Sequence, residues 1–396
     1  MVFFGIVAFL ALSGNFVNTS SHPIEISMTL IDDHAIGYAT FQSHNQKVVS
    51  NQHGIFLTYL KTRTDAYDSQ LWRLMRSTDG GTTFSLVYEA TAATHPPAIE
   101  TDGDGNIYLM HGNISNGQGR LYRFLAKEDF KIPNYTVIPN SWADKFSTFL
   151  DMERKQIYFA QVSHSDDETF YAIGLDGAVN FTQRLTVHGP HAYFLYPHLA
   201  MSEEGILHLA YTTFKNGNGY MYWDIHHILS DDAGQTWKTL AGANVTIPFI
   251  PDDTGPIPRI TKDNEFDVQT WLSNMAVKKG KVHFLYEAQF NPCQQNYVRY
   301  DIESATEDIR VTPVFKGESI RLGHLDGFFA HDAHSPDGPL FCIARYIPQD
   351  VRRIGCLVSR DNGVTWHDHA LSAPVVNPYS IGGCRQLTSD GYVIGS

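Results

Sequence analysis

His95, His111 and Tyr196 fall where strand-like runs begin or end, and their side chains are of the types that move protons. An imidazole titrates at about 6.5 and can take or give a proton near neutrality, whereas a phenol, at about 10, needs a neighbouring cation to act as a base. His198, Asn274, Tyr286, Arg345 and Arg385 fall at comparable strand ends. Together with Arg259 they offer hydrogen-bond donors and positive charge for an anionic ligand. Each has a plain structural reading too. His95 opens a strand before Pro96-Pro97, His111 ends one beside a sequon loop, and Tyr196-Pro197 could be core packing at a strand start. A single topology that brings them to one end favours the functional reading.

That topology is a hairpin repeat. An apolar strand, a turn rich in glycine or charge and a second apolar strand recur seven times. The second strands start within 53–59, 105–110, 156–160, 205–211, 280–286, 338–343 and 391–394. The step is about 50 residues, once about 75, which suits a four-stranded blade with loops. β-Branched and aromatic enrichment favours strands over helices. The expected fold is all-β, a seven-bladed β-propeller with only short, protected strand edges. The chain stops at Ser396, just after the seventh second strand starts, so that blade needs completing. The strand-like pieces 25–30 and 35–41 are proposed to complete it and close the ring; a chain truncated at its C-terminus is the alternative.

In an antiparallel hairpin the start of the first strand and the end of the second lie at the same end, opposite the turn. This sets His95 beside His111, Tyr196 and His198 near Thr212, and Asn274 with Tyr286 and Glu287. Arg345, Arg385, Tyr59, Lys61 and His164 join them around one mouth. The same logic removes His331-Asp332-Ala333-His334, which leads straight into the turn Ser335-Pro336-Asp337-Gly338 and belongs on the opposite face. No metal is expected there. Asp224-Ile225-His226-His227 reads as a third strand, whose alternation allows only one of the two histidines into a given pocket.

Three octapeptides carry the pattern S-x-D-x-G-x-T-W/F: 77–84, 230–237 and 359–366. The physics is that of a self-capped hairpin turn: Asp accepts hydrogen bonds from the turn, Gly takes a positive φ and the aromatic covers the apolar side. They resemble the Asp-box repeat of sialidase-type β-propellers, which stabilises turns and usually does no chemistry.

With 396 residues, 43% hydrophobic, the chain can bury a large core, and residues 22–396 read as a single propeller domain. A net charge of −13 argues against nucleic acid or an anionic membrane as partner, but a local basic pocket could still take an acidic substrate. Residues 1–21 look like a secretory signal peptide without the usual basic start; a buried terminal strand is the alternative. Sequons at Asn18, Asn113, Asn134, Asn180 and Asn244 fit a secreted, extracellular eukaryotic protein. Cys293, Cys342, Cys356 and Cys384 allow three fully paired connectivities and match no zinc spacing.

The combination resembles the Asp-box propellers that include ulvan lyases and the related rhamnose–glucuronate lyases, over most of the chain from about residue 24. The resemblance rests on 94–99, Asp104-Gly105-Asn106-Ile107, His111-Gly112-Asn113, Tyr196-Pro197-His198-Leu199 and Gly217-Asn218-Gly219-Tyr220. It implies a polysaccharide lyase in which His95 and His111 flank a uronic-acid-containing glycan and Tyr196 and an arginine assist. The chain departs from the family by a shorter His95–His111 interval and by His198 where an arginine often follows Tyr-Pro. Arg345, Arg385 and Arg259 are the candidates left for the carboxylate. β-Elimination needs that carboxylate neutralised, the proton at C5 removed and the departing O4 protonated. No cofactor is required, a channel Ca²⁺ stays open, and a monomer is expected. A sialidase-type exo-glycosidase and a non-catalytic carbohydrate-binding propeller are the alternatives.

Overall fold

The computed structural model describes residues 5–13, 25–36, 38–62, 70–90, 93, 95–112, 118–163, 167–217, 222–265, 268–289, 294–315, 318–319, 327–332, 335–346, 351–375 and 381–396. Among the described residues, six antiparallel sheets of four or more strands follow one another along the chain, with a two-stranded ribbon, Val314–Phe315 and Glu318–Ser319, before the sixth. The first contains Val48–Asn51, Gly54–Thr62, Gln70–Ser77 and Ser85–Glu89. The second contains Ala98–Thr101, Ile107–Gly112, Gly119–Phe124 and Asn134–Val137; the third, Phe146–Asp151, Gln156–Val162, Glu168–Gly174 and Val179–Arg184. The fourth is Ala192–Met201, Leu207–Lys215, Tyr222–Ser230, Trp237–Lys238 and Asn244–Val245. The fifth is Thr270–Lys278, Lys281–Ala288, Gln294–Asp301 and Thr306–Val311; the sixth, Gly327–His331, Leu340–Tyr346, Arg353–Ser359 and His367–Leu371. Each is a meander in chain order, the blade of a β-propeller.

There are six blades, not the seven expected. All seven second strands exist, but the last, Val393–Gly395, nucleates no sheet of its own. It pairs with Gly5–Ser13, which pairs with Glu25–Ala35, and the last joins Gly54–Thr62 through Ala35 opposite Lys61. The terminal strands therefore extend the first sheet. The pieces 25–30 and 35–41 therefore complete no seventh blade: Glu25–Ala35 shares a sheet with the C-terminal strand but is separated from it by Gly5–Ser13, and 38–41 is turn and loop. A cleaved leader could not supply that middle strand, so the two readings of the N-terminus exclude each other in one molecule.

The pattern of burial follows the layering. Tyr222–Ser230 is buried at every position, whereas Val179–Arg184, the last strand of its sheet, alternates half-buried with exposed residues. The chain forms two compact units, 1–115 with 120–135 and 313–396, and 116–119 with 136–312. The first has cores around Phe56, Tyr59, Trp72 and Leu109 and around Phe328, Phe341 and Ile343; the second, around Tyr158, Phe170, Tyr211 and Trp237 and around Leu272, Phe284 and Tyr286. Cys342, Cys356 and Cys384 are free and buried; Cys293 lies outside the described residues.

The three Asp-box turns share one geometry. In the second, Asp232 Oδ1 accepts the Thr236 N–H at 2.8 Å and Oδ2 the Thr236 hydroxyl at 2.6 Å. The sequence pattern gave no role to its first serine, but Ser230 Oγ donates to Asp232 at 2.8 Å and accepts the Gly234 N–H at 2.7 Å. Ser77-Asp79-Thr83 and Ser359-Asp361-Thr365 repeat the set. These bonds to Thr83 and Ser77 hold the Asp79 carboxyl down at about 2. Gly234 has φ +88°, and a Cβ there would lie 2.3 Å from Phe170 Cε1, whose ring meets Trp237 edge-on. At Gly80, φ +70°, a Cβ would meet nothing within 4 Å.

Gly80→Ala should therefore cost only left-handed strain, about 1–2 kcal/mol, while Gly234→Ala should lose a further ~1–3 kcal/mol by displacing Phe170. Urea unfolding of the two variants checks this; equal losses would contradict the packing.

Candidate functional site

Ala98 pairs with Met110, so the first two strands of the second sheet bring His95 and His111 to the same end. His111 is 3% exposed, and among the described residues neither ring nitrogen has a hydrogen-bond partner. Burial, reinforced by the Arg120 and His95 charges, pushes its pKa down to about 3. Its ring centroid lies 5.8 Å from that of Trp72, which also meets Tyr88 and Tyr122. His95 is half-buried, its ring 6.2 Å from Phe41.

The segment between His95 and the strand is held from below. Lys47, fully buried, donates to the carbonyl oxygens of Pro96 and Pro97 at 3.4 and 3.3 Å. Burial pushes its pKa down to about 7. Beside it, Arg385 Nη2 contacts both oxygens of Glu100 at 2.6 Å, and Gln46 donates to Glu100 at 2.9 Å while accepting the Arg385 N–H at 2.9 Å. Arg385, expected as a substrate ligand, thus carries an internal ion pair with Glu100. Arg345 lies near the end of Leu340–Tyr346, half-buried. Tyr59 and Lys61 both reach Asp32, at 2.7 and 3.3 Å. His331 ends its strand before the turn closed by the Gly338 N–H on Ser335 O at 2.8 Å; His334 and His164 lie outside the described residues.

In the second compact unit Tyr196 sits on a bulge between Leu195 and Pro197 with φ +36°, a conformation costing on the order of 1–3 kcal/mol in a residue that precedes proline. Its ring is 5.6 Å from Tyr222, which lies 3.6 Å from Trp271. The fifth sheet has the matching bulge between Leu272 and Asn274. Tyr196, His198 and Asn274 are all buried. Tyr286 is committed elsewhere: its hydroxyl contacts both Glu265 oxygens at 3.0 Å and accepts from Arg310, and its pKa is raised, chiefly by burial. Arg259 donates to Asp263 at 2.6 Å and stands 3.8 Å from Asp224. Asp224 accepts the Thr261 hydroxyl at 2.9 Å, and burial pushes it up to about 6. The expected alternation holds: His226 stacks on Tyr211, while His227 meets His208 with nitrogens 3.0 Å apart.

Asp32, Asp33 and His34, and His191, Asp252 and Asp253, bring potential ligand atoms within 4.8 Å of one another. Asp252 already accepts the His191, Ala192 and Thr254 N–H groups and the Thr254 hydroxyl, and Asp32 accepts Tyr59, Lys61 and Arg73. Sequence reasoning missed Lys47, Trp72, Glu100, Glu265 and Asp224's burial. Only Asp224 carried a local signal, in its Asp-Ile-His-His run.

Lys47 makes a pH prediction. Its folded pKa lies below the ordinary value of about 10.4, so the unfolded chain binds more protons between pH 7 and that value and stability rises with pH there, at about 1.4 kcal/mol per unit. Lys47→Met should remove that rise, read as the difference in urea midpoints at pH 7 and 8.5 between variant and parent; parallel slopes would contradict it.

Residues 17–306 match the BNR repeat-containing family. No curated protein sequence matches this one. Among solved structures, an ulvan lyase bound to -[GlcA(1-4)Rha3S]- superposes with a TM-score of 0.66 at 12% identity, covering 90% of this chain and 89% of that one. The polysaccharide lyase Uly1 superposes at 0.57 and 12% identity, with 92% of each chain covered. A putative 6-phosphogluconolactonase from Bacteroides uniformis reaches 0.51 at 10% identity, covering 93% of this chain and 97% of that one. At such identities the likeness establishes the fold, an all-β propeller, and fold alone does not fix a reaction. With the family matched over most of its length, the chain belongs to the BNR repeat-containing family.

Proposed function

We propose that this protein is a secreted polysaccharide lyase that cleaves a uronic-acid-containing glycan by β-elimination. The observation that carries the reading is the pair of imidazoles at one end of the second sheet, with His111 buried, held neutral and, among the described residues, without a hydrogen-bond partner. A buried ring with two unused nitrogens is costly to keep, by about 1–3 kcal/mol, and a ligand that satisfies it would return that cost. The ulvan lyase, solved on a glucuronate-containing oligosaccharide, supports a glycan of this class.

In the proposed reaction a uronate carboxylate accepts a hydrogen bond from the neutral His111 ring. Loss of its water shell is offset there, and negative charge on the enolate-like intermediate is stabilised. His95, half-buried and able to reach solvent, exchanges the moving proton. The C5–H bond breaks, its electron pair forms the C4–C5 double bond, the C4–O4 bond breaks and O4 leaves with a proton. Arg345 and the remaining donors of Arg385 are the proposed cations on this unit. The resemblance assigns an assisting role to Tyr196, and its strained backbone is the kind of feature that functional residues keep.

His95→Ala and His111→Ala should each lower turnover by about 100- to 10,000-fold while leaving the melting temperature nearly unchanged. The assay is the ultraviolet absorbance of the unsaturated uronate during incubation with uronic-acid glycans. New reducing ends without that absorbance would indicate hydrolysis, and binding without either would indicate a lectin; both outcomes contradict the lyase. N-terminal sequencing of the exported protein decides between the two readings of the N-terminus: a leader requires cleavage near residue 21, and the strand Gly5–Ser13 requires an uncut chain.

A further inference from the structure

Three sequons on edge strands carry the inference. Asn134-Tyr135-Thr136, Asn180-Phe181-Thr182 and Asn244-Val245-Thr246 lie on the last strands of the second, third and fourth sheets, Asn134–Val137, Val179–Arg184 and Asn244–Val245. Each of these strands is bonded on one side only within its sheet. Asn134, Asn180 and Asn244 are all exposed. In a strand, residues i and i+2 share a face, so a sequon whose middle residue is engaged by its own sheet turns asparagine and threonine outward together. Val245 is buried in the core around Trp237, and Phe181 packs against the same core. Tyr135 meets Tyr122 at 5.3 Å with the rings tilted and the Arg120 guanidinium over its ring, but it stays exposed and Thr136 is half-buried, so the outward pairing of asparagine and threonine is seen at Asn180 and Asn244.

These edges also need cover. An unpaired edge that shows apolar side chains is a template for pairing with another chain. Around Asn134 the exposures are high: Ile132 74%, Tyr135 53% and Val137 37%. We propose that Asn134, Asn180 and Asn244 carry N-linked glycans that shield the outer edges of these three sheets. The donor is a lipid-linked oligosaccharide diphosphate. The asparagine amide nitrogen forms a C–N bond to the anomeric carbon and loses a proton, while the C–O bond to phosphate breaks and the lipid diphosphate leaves. This rests on secretion and not on the reaction catalysed.

The full chain, secreted from yeast under its own N-terminus, should show a glycan at each of the three asparagines by peptide mass spectrometry. Enzymatic release should convert each to aspartate. Asn134→Gln, Asn180→Gln and Asn244→Gln should each remove one step of gel mobility, while Thr136→Ser, Thr182→Ser and Thr246→Ser keep it. The triple glutamine variant should scatter light at lower temperature than its parent, with uronate-glycan turnover unchanged. Bare asparagines in the secreted chain, retention of the chain inside the cell, or unchanged scattering by the triple variant would overturn the proposal. Loss of lyase activity with glycans intact would sink only the reaction.

Discussion

An imidazole sealed from water has two ways to exist: neutral, or charged beside an anion. His111 is sealed by Trp72 and the strands of its own sheet, with Arg120 and His95 adding positive charge against it. Burial, with these charges, holds the ring's pKa down at about 3 and so favours the neutral form. Holding an unsatisfied polar group inside a sheet is expensive. The surrounding apolar packing of Phe56, Tyr59, Trp72 and Leu109 supplies the stability that tolerates it. A neutral donor of this kind suits an anionic ligand whose own charge completes the site.

The charges near it are arranged differently. Glu100 and Arg385 neutralise each other, and Gln46, just before Val48–Asn51, bonds to both. Lys47, among the described residues, has no carboxylate partner and holds the carbonyl oxygens that follow His95 instead. In the other compact unit, Glu265, Tyr286 and Arg310 form a comparable closed network, and Arg259 is spread between Asp224 and Asp263. Ion pairs therefore account for several groups that look like ligand donors in one dimension. What is proposed for a ligand is therefore a neutral imidazole, His111, with Arg345 and the remaining donors of Arg385 as its cations.

Local features were legible in the sequence and distant ones were not. The Asp-box turns could be read because serine, aspartate, glycine and threonine act within eight residues; only the serine's role as both donor and acceptor went unseen. Strand alternation separated His226 from His227 correctly, since a period of two needs no knowledge of neighbours. The blade count failed because a hairpin signal does not say which sheet a three-residue strand such as Val393–Gly395 will join. The engagement of Arg385 was invisible because Glu100 lies 285 residues away. His111 was identified by type and position, but its burial depends on Trp72, in another sheet.

The central claim is that His111 is held neutral by burial until an anion reaches it. Imidazole nitrogen NMR through a pH titration of the isotopically labelled protein tests this most directly, with and without a uronic-acid oligosaccharide. The account predicts that free His111 stays neutral well below pH 6 and that the oligosaccharide raises its midpoint. An ordinary midpoint near 6.5 in the free protein, unmoved by the oligosaccharide, would contradict it.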